Sequence, residues 1–191
     1  MPQGRPLTVP EDGLTTRARR NAPLLAVHTG AGKGKSTAAF GVVMRAVARD
    51  WRVCVVQFIK SGKWKVGEEA VGRRLGVEWL KGGDGFTWES TDLETSAGLA
   101  RAAWSLARAA IEGGEYELVV LDEVTYPMNY GWIDGAEVAA TIRERPARVN
   151  IVATGRNAPA ELVDVADTVT EMVKVRHAYD RGIRARRGID F

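Results

Sequence analysis

The sequence predicts an α/β protein, a mostly parallel sheet with helices on both faces and a ligand site at the carboxyl ends of its strands. Three observations predict it. A short apolar strand, Leu24 to His28, runs into the glycine- and lysine-rich stretch Thr29-Gly30-Ala31-Gly32-Lys33-Gly34-Lys35-Ser36-Thr37, which opens an apolar-periodic helix. Strand-like and helix-like segments then alternate along the chain, as crossover connections between parallel strands require. The apolar run Leu118-Val119-Val120-Leu121 ends in Asp122-Glu123, so a central strand delivers two carboxylates to the same sheet edge as the glycine-rich stretch.

Met1 to Pro23 is polar and proline-containing without apolar period, which makes residues 1–23 an arm ahead of a single domain at 24–191. After the first strand, Ser36 to Arg49 carries apolar residues at helical spacing. Arg52 to Ile59 is a second strand, rich in β-branched residues, and Lys60 to Lys65 a basic loop. Gly67 to Leu75 reads as a short helix and Val77 to Leu80 as a short strand that stops at Gly82-Gly83. A long helix starts near Thr91, where Thr91 and Glu94 have capping-box spacing, and runs to Ile111 before Gly113-Gly114 ends it. Glu117 to Leu121 is the acid-bearing strand, Asp134 to Arg143 a helix, Asn150 to Thr154 a strand, and Pro159 to Val165 a helix. Thr168 to Val175 makes the last strand before a basic tail.

A chain of 191 residues can bury one sizeable core. No apolar run is long enough to span a bilayer and the start lacks the apolar core of a signal peptide, which predicts a cytoplasmic protein. The single cysteine, Cys54, excludes an internal disulfide and a multi-cysteine metal site; between Val53 and Val55 it reads as a buried strand residue. Net charge is +3, with arginines clustered at 17, 19 and 20 and at 181, 184, 186 and 187. Such clusters suit ATP phosphates or a carboxylated substrate as well as they suit nucleic acid, and a solvated face is commoner than either. No membrane partner is predicted, and on charge alone nucleic acid stays open beside small-molecule substrates.

The glycine-rich stretch has the chemistry of a phosphate-binding loop. Glycines let several backbone N–H groups converge on one anion, and the following helix adds its positive end. Lys35 would reach the phosphates and the Ser36 hydroxyl would ligate magnesium, with manganese as a substitute. Thr29 stands where the first glycine of the usual spacing would be, so the loop is a shortened variant. Asp122-Glu123 supplies the acidic partner: one carboxylate holds the metal directly or through water, the other orients a water or a reacting group. Which does which is open from sequence.

Gly83-Asp84-Gly85-Phe86-Thr87-Trp88-Glu89 is a glycine-hinged loop with two large aromatic residues. Phe86 and Trp88 either pack beneath the loop as a satellite core or are covered by something flat and apolar. Tyr126, Tyr130 and Trp132 line a pocket or seat their own segment, and His28 and His177 read as a strand-end residue and an anion contact. No Ser/His/Asp or Cys/His set suggests a protein nucleophile, which suits a substrate that brings its own.

These residues together resemble a known family. Thr29-Gly30, Gly32 to Gly41, Gln57-Phe58-Ile59-Lys60, Gly85-Phe86-Thr87-Trp88, Leu121-Asp122-Glu123 with Thr125-Tyr126, Thr154-Gly155-Arg156 and the closing Gly188-Ile189-Asp190-Phe191 are similar to the ATP:corrinoid adenosyltransferases of the phosphate-loop type, over about Leu24 to Phe191. The resemblance implies a RecA-like fold, a homodimer, small-molecule substrates with no nucleic acid as partner, and transfer of the 5′-deoxyadenosyl group of ATP to the cobalt(I) of cob(I)yrinic acid a,c-diamide, cobinamide or cobalamin with release of triphosphate. It implies that residues Thr29 to Thr37 bind the triphosphate, that Ser36, Asp122 and Glu123 hold the metal, and that Lys35 and Glu123 act in catalysis. It implies further that Phe86 and Trp88 pack against the lower face of the corrin, excluding the axial ligand so that a flavoprotein such as flavodoxin can reduce cobalt(II). Ala31 and Arg186 depart from the family pattern, which has Asn or Glu and Gln at those places. An ATP-hydrolysing or phosphoryl-transferring enzyme that releases ADP, and a nucleotide-binding regulatory module, are the alternatives from other classes.

Overall fold

A computed structural model of the chain describes residues 21–58, 67–81 and 93–190. Six strands form one sheet, β1 (Leu25–Thr29), β2 (Val53–Gln57), β3 (Glu78–Lys81), β4 (Leu118–Asp122), β5 (Asn150–Thr154) and β6 (Thr168–Glu171), in the order β3-β2-β4-β5-β1-β6. Every pairing is parallel. All strands therefore end at one edge, as the sequence predicts, and β5 separates the strand that feeds the glycine-rich loop from the acid-bearing β4.

Strand alternation builds two cores from one sheet. Leu25, Val27, Cys54, Val56, Val119, Leu121, Ile151 and Ala153 face α3 (Leu93–Glu112), α5 (Gly135–Arg143) and the short α6 (Ala160–Val163). Ala26, Val53, Val55, Leu118, Val120 and Val152 face α1 (Lys35–Val47), whose Ala39, Phe40, Val43 and Ala46 form its buried stripe. The central strands are buried on both sides, which explains their near-continuous apolar sequences. Helix α2 (Gly67–Arg74) lies against β3, where Gly72 meets the Trp79 ring. Asp134 caps α5, its carboxylate accepting from the Ala136 N–H at 2.9 Å.

Several boundaries differ from the sequence reading. Thr29 is the last residue of β1 rather than the first of the loop. The connection after Glu123 contains a helix, α4 (Thr125–Asn129). Pro127 hid it, yet proline is tolerated there because first-turn N–H groups have no intrahelical partner. The last strand stops at Glu171, short of Val175, because Met172 leaves the ladder to pack on the glycine-rich loop. Cys54 is a buried strand residue, as expected. The arm to residue 20, the basic loop at 60–65, the Thr91 cap and the Phe86–Trp88 loop lie outside the described residues. No helix among the described residues is long and apolar enough to cross a membrane.

Candidate functional site

The glycine-rich loop is held by the end of β6. The Gly32 N–H donates to the Met172 carbonyl, and the Met172 N–H donates to the Thr29 carbonyl at 2.8 Å. A Cβ at Gly30 or Gly32 would stand 2.6 Å from the Met172 oxygen, a main-chain atom that cannot yield, so both positions exclude a side chain. The Thr29 hydroxyl accepts from the Ala158 N–H at 3.0 Å, anchoring the loop to the segment after β5 as well. Gly34, at φ 113°, caps α1 with a left-handed turn. Ala31, Lys33 and Thr37 are exposed, and Ser36 is half-buried in the first turn of the helix.

Lys35 folds over the loop. Its Nζ donates to the carbonyl oxygens of Gly30 at 2.9 Å and Gly32 at 2.6 Å. Burial lowers the pKa of this ammonium below its ordinary value, the Arg156 guanidinium lowers it further, and the Glu123 carboxylate works against both. The His28 ring stands beside the same turn, with Nδ1 3.4 Å from the Lys35 carbonyl oxygen.

The sequence placed both acids at the sheet edge, but the structure separates them. Asp122 is the last residue of β4 and has no exposed surface. Its Oδ2 accepts from Gln57 Nε2 and its Oδ1 from the Thr154 hydroxyl, both at 2.9 Å. Glu123, the next residue, turns out of the strand at φ 65° and is half-buried. Its backbone N–H donates to the same Thr154 hydroxyl at 2.9 Å. Asp122 thus belongs to a buried network, while Glu123 supplies the carboxylate whose charge acts on Lys35.

Helix α4 fixes the far side. The Thr125 hydroxyl donates to the Arg156 carbonyl at 2.6 Å, and Asn129 Nδ2 donates to the carbonyls of Arg156 and Asn157 at 3.2 and 3.0 Å. These bonds hold the β5–α6 turn with the Arg156 side chain exposed. Tyr126 and Trp132 pack against the core; Tyr130 is half-exposed and stacks obliquely on Trp132 with centroids 4.7 Å apart. Burial and the Glu123 charge raise the Tyr126 pKa, keeping its hydroxyl protonated.

The tail returns to the loop. Lys33 Nζ pairs with Asp190 Oδ1, while Asp190 Oδ2 accepts from the Arg186 N–H at 2.7 Å. Lys33 and that N–H together hold the Asp190 carboxyl below the usual range. Gly188 and Ile189 close one side of a mostly apolar cavity of about 400 Å³ between α1 and α2, with Phe40, Met44, Val71 and Trp79 among its walls. His177 is a neighbour of this tail, its Nδ1 accepting from the Tyr179 N–H at 3.1 Å, whereas Arg181, Arg184, Arg186 and Arg187 are exposed.

The structure brings together Thr29 to Thr37, Asp122 and Glu123. Sequence reasoning assigned no role to Gln57, Thr154, Asn129 or the Lys33–Asp190 pair. A signal existed for two of them. Gln57 and Thr154 are polar residues closing apolar strands, as Asp122 is, and the register sets Gln57 opposite Asp122.

A family model for the ATP:corrinoid adenosyltransferase BtuR/CobO/CobP matches residues 21–191. The chain is 43% identical over 182 residues to the corrinoid adenosyltransferase of Pseudomonas aeruginosa, covering 94% of this chain and 89% of that one. It is 38% identical over 180 residues to the corrinoid adenosyltransferase of Escherichia coli K12, with 94% and 91% covered. The corresponding Sinorhizobium protein is 41% identical over 171 residues, with 88% and 80% covered.

Proposed function

The chain belongs to the ATP:corrinoid adenosyltransferase family, and on that premise we propose that it transfers the 5′-deoxyadenosyl group of ATP to the cobalt(I) of a corrinoid, releasing triphosphate. The observation that carries the reading is the glycine-rich loop at the sheet edge, with Lys35 lying over it and Glu123 acting on Lys35. Cobalt(I) brings its own electron pair to the ribose C5′. A cobalt–carbon bond forms, the C5′–O5′ bond breaks, and its electrons leave with the triphosphate. No protein base is needed, so the protein's task is to hold and orient a polyanionic leaving group. The loop amides, the N-terminal end of α1, Lys33 and Lys35 suit that task.

Magnesium fits the same residues. Among the described residues no group of three or more His, Cys, Asp or Glu is placed to hold a metal. That suits an ion which keeps waters and takes most ligands from substrate phosphates, adding one or two protein oxygens. Ser36 and Glu123 would supply those oxygens, with Asp122 behind Glu123. Bound there, the ion would neutralise charge on the departing triphosphate. Phe86 and Trp88 would cover the lower face of the corrin, a flavoprotein of the flavodoxin kind would supply the electron, and the working form would be a homodimer in the cytoplasm.

Product identity tests the reading. Incubation with ATP, magnesium and chemically reduced cobalamin should give the light-sensitive spectrum of a cobalt–carbon bond together with triphosphate. ADP and phosphate, formed equally fast without corrinoid, would refute it in favour of a phosphate-loop hydrolase.

A further inference from the structure

The directions of two hydrogen bonds to Asp122, from Gln57 and from Thr154, are fixed by groups that can only donate. The Trp79 indole N–H gives its proton to Gln57 Oε1 at 2.9 Å. That contact orients the Gln57 amide, turning its NH₂ to Asp122 Oδ2. On the other side the Glu123 backbone N–H donates to the Thr154 hydroxyl oxygen, which leaves the single hydroxyl proton for Asp122 Oδ1. Two chains of donors therefore converge on Asp122. They make a fully buried carboxylate an acceptor on both oxygens, the arrangement that offsets the cost of burying its charge.

Thr154 does a second thing with the same oxygen. Glu123 sits at φ 65°, a backbone conformation that residues other than glycine rarely adopt and that persists where its surroundings impose it. The bond from its N–H to Thr154 is one such constraint. Gln57, Thr154 and Trp79 come from three different strands, β2, β5 and β3, so the sheet itself holds the network rigid.

We propose that the Thr154 hydroxyl, backed by Gln57, is a positioning element for metal–nucleotide binding: it orients the Asp122 carboxylate and holds the backbone of Glu123 in one contact. The proposal rests on the reading of Glu123 as the residue that faces magnesium and triphosphate. Thr154 touches neither ligand and acts through the two acids.

The test compares Thr154→Val with Thr154→Ser in the full chain. Valine keeps the shape and removes both hydrogen bonds, whereas serine keeps both and removes a buried methyl. Magnesium-dependent ATP binding is measured by calorimetry without corrinoid, ATP KM and turnover are measured with chemically reduced cobalamin, and melting temperature is recorded for each protein. Losing a hydrogen bond to a charged acceptor should raise the magnesium concentration for half-maximal ATP binding roughly ten- to a hundredfold in Thr154→Val, with turnover reduced and corrinoid KM unchanged. Thr154→Ser should stay within about threefold of the parent while melting at a lower temperature. Should Thr154→Val not fold, Thr154→Ala removes the same hydroxyl and carries the same expectation. Parent-like magnesium dependence without the hydroxyl, or equal losses in the valine and serine variants, would overturn the proposal. A valine–serine split in ATP binding by a protein that forms no cobalt–carbon bond would refute the proposed reaction and leave this inference standing. A parent that takes up no magnesium–ATP refutes both.

Discussion

Replacing Lys35 by alanine separates the two things this side chain does. In the structure its ammonium donates to the Gly30 and Gly32 carbonyls at 2.9 and 2.6 Å, so it braces the loop. Those bonds are charge-assisted, but burial taxes the same ammonium, as its lowered pKa records. The net cost of the substitution to folding is therefore small, about 1 kcal/mol, or a melting shift of about 2–4 °C for a domain of this size. Catalysis should suffer far more. On the proposed reaction the ammonium would exchange loop carbonyls for phosphate oxygens as negative charge grows on the departing triphosphate, and a preorganised charge contact of this kind contributes about 3–4 kcal/mol to the transition state. That converts to a loss of roughly 10² to 10³ in turnover. The assay follows the cobalt–carbon spectrum with chemically reduced cobalamin at saturating ATP, beside a thermal melt. Lys35→Arg, which keeps the charge on a longer and wider group, should fall between alanine and parent. A folded Lys35→Ala protein with near-parental turnover would refute the assignment of the loop as the leaving-group cradle.

Two further expectations concern the aromatic loop and the buried thiol. The double variant Phe86→Ala/Trp88→Ala should be crippled when cobalt(II) must be reduced on the enzyme by a flavodoxin, and should recover most activity when cobalt(I) is supplied; equal losses in both assays with a lowered melting temperature would make the pair core packing only. Burial, helped by the nearby Glu78 charge, pushes the Cys54 thiol up to about 12 from an ordinary 9.0. The unfolded chain thus loses this proton first, and the thiol's contribution to stability is whole below pH 9 and falls as pH rises from there to about 12. At pH 10 the parent should have lost about 1.4 kcal/mol more than Cys54→Ala relative to pH 8, measured by urea unfolding; parallel losses in the two proteins would contradict the burial argument.

What the sequence determined by itself was everything local in origin. The β-branched run within Arg52 to Ile59 reads as a strand, and a glycine-rich turn between strand and amphipathic helix presents N–H groups at the strand's end. The parallel sheet, the glycine-rich loop at its edge and the acid-bearing central strand followed from those patterns, and the motifs spread along the chain were enough to name the family. Chain ends of elements were less legible: β6 is cut short and Thr29 joins β1 because the loop and Met172 bond each other across more than a hundred residues. The division of labour between Asp122 and Glu123 was beyond the sequence altogether. Two adjacent acids look alike in a string of letters, yet one has its oxygens claimed by Gln57 and Thr154 and the other is turned out toward Lys35. Strand order decided this, because it set β2 and β5 on either side of β4 and so chose which polar side chains meet which carboxylate. The same holds for Asp190, brought to Lys33 from the other end of the chain by a tail whose sequence carries no periodic signal.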